Sequence, residues 1–162
     1  MVTPNGCVSF RLGEEGFGIP LDQVREIAPA DRITPVPQAP PAVRGLLNLR
    51  GQPITVLDVA RLFGLPMPPA RDAKDRLVVV LTPPYEHIGL LVHLPVEISH
   101  ASLEAIPARA GRAAQGLDWR DETQGPSQGP AAVSGRVVQL LSAQDLVAHC
   151  EARVFEGFRR KY

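Results

Sequence analysis

Aliphatic runs cut by glycine or proline clusters divide this chain into short strands with few helical stretches. Cys7–Leu12 alternates Val8, Phe10 and Leu12 with Ser9 and Arg11, which predicts a half-buried strand. Gly13–Gly16 is a turn and Phe17–Pro20 begins the partner strand. Leu21, Val24 and Ile27 lie three apart beside Glu26, and periodicity leaves a helical turn and a strand both open there. Five prolines within Pro29–Pro41 predict an extended crossing loop. The densest signal is Val43–Pro66. Leu46, Leu47 and Leu49 lead into the turn Arg50-Gly51-Gln52-Pro53, and Ile54, Val56 and Leu57 form the returning strand. Asp58 then caps a short helix, Val59–Phe63, which Gly64 and Pro66 end.

Pro66–Asp75 is proline-rich and polar and reads as a junction between two halves. Leu77–Leu81 is an apolar strand, Pro83-Pro84 a turn, Ile88–Val92 a second strand and His93–Ile98 a third. Ser99–Ile106 has the pattern of a short helical turn. Arg109–Gly135 is rich in small and polar residues, with too little apolar surface to offset ordering, and is expected to be mobile apart from an anchor at Trp119. Val137–Leu141 is a last strand. Ser142 then starts a helix whose stripe of Leu146, Cys150, Val154 and Phe158, widened by Val147 and Phe155, predicts docking on the core.

Composition narrows the function classes. Lys+Arg and Asp+Glu balance at 17 each, so the chain lacks the bulk attraction that drives binding to nucleic acid or anionic membranes. No segment approaches the roughly 20 apolar residues of a membrane span, and the N-terminus lacks a secretory pattern. Cys7 and Cys150 are far apart in sequence and read as buried, reduced thiols, with a cytoplasmic location as the default. His87, His93, His100 and His149 fall at no metal-ligand spacing, and no serine sits in G-x-S-x-G. Gly16-Phe17-Gly18 lacks the third glycine of a dinucleotide loop, because Leu21 stands there. Neither an active site nor a cofactor is expected.

The string Arg44-Gly45, Asn48-Leu49-Arg50-Gly51, Val56-Leu57-Asp58 and Leu62-Phe63 resembles the core motif of the CheW family, the coupling proteins of bacterial chemosensory arrays. Phe10–Ile27, Asp75–Leu81, Gly89–Val92 and Gly135–Leu146 are similar to further parts of that family, so the resemblance covers most of the chain outside Arg109–Ser134. It implies a mainly β fold of two small five-stranded SH3-like barrels with a C-terminal α-helix. Residues 7–66 plus that helix would make the first barrel, and residues 75–141, with a mobile insertion at 109–134, the second. It also implies a non-catalytic adaptor that links the cytoplasmic tip of a chemoreceptor to the regulatory domain of a CheA-type histidine kinase, with other CheW-like domains as further partners and no direct membrane insertion.

Carried over by motif, Glu26 and Arg50 would form a charge pair at the receptor-facing surface, beside Asn48. Val24, Ile27, Val43, Gly45 and Leu46 would line an apolar groove for the receptor helix. Leu57, Asp58, Leu62 and Phe63 would lie where the kinase domain docks. Two positions depart from the family pattern: His93 follows Val92 where an Asp is usual, and Ser142 follows Leu141 where an Asp is usual. These departures keep open a divergent accessory adaptor that has lost one contact and recruits another partner. A barrel binding nucleic acid is the alternative from another class, and it would need a basic face with exposed aromatics.

Overall fold

A computed structural model describes residues 6–12, 15–65, 75–100, 104–105, 127–133 and 136–151. The strands are β1 (Cys7–Leu12), β2 (Glu15–Pro20), β3 (Val24–Pro29), β4 (Ile33–Thr34), β5 (Val43–Leu49), β6 (Gln52–Asp58), β7 (Arg76–Leu81), β8 (Ile88–Ser99), β9 (Glu104–Ala105), β10 (Ser127–Val133) and β11 (Arg136–Leu141). One short helix, α1 (Val59–Leu62), follows β6, and a second, α2, is described over 143–151. The fold is mainly β with a C-terminal helix, as expected. The open segment after β2 is both things in turn: a 3-10 turn at Leu21–Gln23 and then β3.

Strand pairing does not follow the sequence-order halves. In one unit β3 pairs with β7, β7 with β8, β8 with β6, β6 with β5 and β5 with β4. In the other, β8 pairs with β1, β1 with β2, β2 with β11, β11 with β10 and β10 with β9. The first two strands of the chain therefore sit with its last ones, and β8 belongs to both units. Residues 88–92 of β8 pair with β6 and β7, and residues 96–99 with β1. This is why Ile88–Val92 and His93–Ile98, read as two strands, are one of 12 residues. Pro95 causes no break because it lies in the irregularity where Phe10 pairs with Val96 and Arg11 with His93, so no ladder bond needs its missing N–H.

Two further readings are corrected. Ser99 ends β8 and residues 104–105 form β9, where a helical turn was expected. Residues 127–133, placed in a mobile insertion, form β10 along β11. Ladder bonds use backbone groups, so a strand poor in aliphatic residues can form beside a ready partner. The expectations for residues 66–74, for Trp119 and for Val154, Phe155 and Phe158 lie outside the described residues.

The core explains why β7 and β8 are apolar on both faces. Val79 and Leu81 of β7, with Leu90 and Val92 of β8, face the main core between the units. That core also holds Val8, Phe10, Phe17, Ile19, Leu62, Leu141 and Leu146. Their neighbours Val78, Val80 and Leu91 face a second cluster with Ala28, Leu47, Ile54 and Val56, inside the first unit. A sheet covered on both sides has no polar face, which is why the Leu77–Leu81 run does not alternate. Helix α2 docks on the core through Leu146, Val147 and Cys150, and the Ala143 N–H donates to Gln23 Oε1 at 2.7 Å. Cys7 and Cys150 are free and buried; burial pushes the Cys7 thiol up to about 11 and raises the Cys150 thiol as well.

Candidate functional site

The hairpin β5–β6 closes on a two-residue turn, with Leu49 opposite Gln52. Arg50 and Gly51 both take positive φ, 50° and 82°, the pattern of a type I′ turn whose twist suits the flanking strands. A non-glycine residue pays conformational strain there, and Asn48 offsets it: its Oδ1 accepts the Gly51 N–H at 2.9 Å. The turn points Arg50 toward β3, where its guanidinium reaches Glu26 Oε1 at 3.1 Å. Arg25 Nε lies 3.7 Å from the other oxygen, Oε2. The Arg50 side chain is 73% exposed and that of Glu26 only 20%, so the carboxylate is the fixed member and the guanidinium the accessible one.

The remaining receptor-side candidates divide by exposure. Leu46 and Asn48 are exposed on the outer side of β5. Val24, Ile27 and Val43 are half-buried and pack against the main core. Gly45 is buried at φ 152°, at the register shift between Val43 and Gly45. A Cβ at Gly45 would stand 2.3 Å from the Thr34 carbonyl oxygen, so the glycine lets β4 lie against β5. The structure thus joins Glu26 and Arg50 and places Asn48 as support for the turn.

The kinase-side candidates sit at the hairpin's other end, and all four are buried: Leu57 4%, Asp58 1%, Leu62 0% and Phe63 5% exposed. Asp58 is the N-cap of α1, its Oδ1 accepting the Arg61 N–H at 3.2 Å while Oδ2 lies 3.6 Å from Arg61 Nε. Phe63 stacks on Phe17 with centroids 5.7 Å apart. Their side chains shape this end from beneath; Arg61 and Gly64 are what it exposes.

Sequence reasoning did not anticipate the surroundings of His93. It is 7% exposed, between Arg76 of β7 and Arg11 of β1 in the ladder. Its pKa is lowered by burial first and then by the Arg76 guanidinium, with the Asp58 carboxylate opposing. Arg76 Nε, His93 Nε2 and Asp58 Oδ2 are all buried without a hydrogen-bond partner among the described residues. The one signal available was the His93 departure from the family pattern. Among the described residues no three His, Cys, Asp or Glu side chains converge as metal ligands would.

A family model described as CheW-like domain matches residues 6–151. The chain belongs to the CheW-like family. The chemotaxis protein CheW of Rhizobium meliloti is 28% identical over 134 residues, covering 83% of this chain and 81% of that protein. Protein PilI of Pseudomonas aeruginosa is 28% identical over 126 residues, covering 71% of this chain and 67% of its own. The crystal structure of the scaffolding protein TtCheW from Thermoanaerobacter tengcongensis aligns with a TM-score of 0.66 at 25% identity, over 85% of this chain and 88% of that one. This CheW-like chain is a coupling adaptor of chemosensory signalling, and the divergent accessory reading is not favoured. Among the described residues no helix is long and apolar enough to cross a membrane.

Proposed function

We propose that this protein is a non-catalytic, cytoplasmic coupler that links a chemoreceptor tip to the regulatory domain of a CheA-type histidine kinase at the periphery of membrane receptor arrays. The observation that carries the receptor side is the Glu26–Arg50 contact, 3.1 Å long and formed across 24 residues of sequence by a strained turn. An exposed pair of this kind contributes little to stability, yet it fixes register and discriminates against partners of the wrong charge. Leu46 and Asn48 beside it, with Val24, Ile27, Val43 and Gly45 behind, make the receptor-facing patch. The kinase domain, itself CheW-like, docks against the end of the first unit that Leu57, Asp58, Leu62 and Phe63 support from within and Arg61 caps.

The test is calorimetric titration of the protein with a receptor-tip helical hairpin and, separately, with the kinase regulatory domain. Glu26→Arg is expected to weaken receptor binding, and the exchange Glu26→Arg with Arg50→Glu to recover part of it. Equal loss in the single and the exchanged variants would sink the pairing as a recognition element. Failure of the unaltered protein to bind either partner would sink the coupler reading.

A further inference from the structure

Between the proline loop and the base of the β5–β6 hairpin lies a half-open cleft of about 520 Å³. Arg44 of β5, Arg61 of α1 and Arg76 of β7 all border it, from three separate elements, and among the described lining residues Asp31 supplies the one carboxylate. Arg61 lies near Asp58, whereas Arg76 Nε is buried without a hydrogen-bond partner among the described residues. The opposite wall, Pro35–Pro41, is held by turns in which Ala39 N–H donates to the Val36 carbonyl and Val43 N–H to the Pro40 carbonyl. Its prolines restrict that wall, so little ordering entropy is lost on binding.

We infer that this cleft is a docking site for an acidic segment of a protein partner, a Glu or Asp carboxylate engaging Arg44 and Arg76 while apolar neighbours rest on Pro35, Val36 and Pro40. Two features select a peptide over a free oxyanion. The cleft is far larger than an inorganic anion, which displaces a few waters of about 30 Å³ each. Its proline wall also offers apolar surface, with Val36 39% exposed, that only a side chain would use. Two guanidiniums reaching one carboxylate give charge-assisted bonds with directional preference. The cleft borders Val43 of the receptor-facing patch and Arg61 of the kinase-facing end, and its occupancy is read with neither of those partners present.

The test uses the whole protein and three probes: the capped peptide acetyl-Val-Glu-Val-Glu-Val-amide, its glutamine counterpart, and inorganic phosphate. Binding is read from the Nε–Hε nuclear magnetic resonances of Arg44 and Arg76. The expected result is saturable movement of both resonances with the Glu peptide only, weakening as salt rises. Arg44→Gln and Arg76→Gln should each weaken that binding by about tenfold. Arg44→Lys should retain more of it than Arg44→Gln, a comparison that holds even if Arg76→Gln perturbs folding. Equal response to the glutamine peptide, response to phosphate alone, or no saturable response to the Glu peptide would each overturn the proposal.

Discussion

One hairpin carries two charged clusters, and they differ in almost everything but their chemistry. At its tip, Arg50 reaches out of a turn to Glu26 with most of its surface in water. At its base, Asp58 is 1% exposed, caps a helix, and leaves one oxygen without a hydrogen-bond donor among the described residues, with the buried His93 nearby. Solvent screens the tip pair, so its contribution to folding is small and its geometry is free to serve a partner. The base cluster is shielded, so its protonation and packing are tied to the fold itself. Carboxylate–guanidinium contacts thus lie largely in water at one end of a seven-residue strand and against the core at the other.

That contrast can be broken from either end. Phe63→Ala should have the largest effect, a loss of about 3–5 kcal/mol in urea unfolding, because it empties the stack on Phe17 at the base. Asp58→Ala should cost about 1 kcal/mol through the lost cap, while Asp58→Asn, which keeps an accepting oxygen, should cost less. Equal losses for Asn and Ala would mean that the charge, not the cap, matters.

His93 gives the base a pH dependence. Its folded pKa lies below the ordinary 6.5, so the unfolded chain binds the proton more readily. Stability should therefore be full above pH 6.5 and fall as the pH drops from there toward the lowered folded value. Arg76, Arg44, Asp58 and Asp75 are the charged groups that act on it. Chemical denaturation across that range should show the slope in the unaltered protein and a flatter one in His93→Gln. At the tip, Arg50→Ala should change stability by no more than about 0.5 kcal/mol. A loss as large as that of Asp58→Ala would erase the distinction between the two clusters.

How much of this was legible in the sequence depends on the range of the interactions. The β5–β6 hairpin, its Arg50-Gly51 turn and the Asp58 cap were readable because each is decided within a few residues, by positive φ at the turn and a side-chain oxygen at the helix start. The docking of α2 was readable from its apolar stripe. The Glu26–Arg50 pair was reached through the family motif alone, since nothing local links positions 24 apart. Strand β10 was missed because its composition resembles a loop, and its pairing with β11 is supplied by the neighbour's backbone.

Local chemistry, then, wrote the strands, the turns, the caps and the mainly β class into the chain. Which strands became neighbours was settled by packing over long separations. β8 could serve two units because both faces of its first half could be covered, and β1 reached β8 rather than β3 because their apolar faces close one common core. The same closure buried Leu57, Asp58, Leu62 and Phe63 and gathered Arg44, Arg61 and Arg76 around one cleft. Burial and charge convergence are properties of surfaces brought together in space, and no window of sequence contains both sides of such a surface.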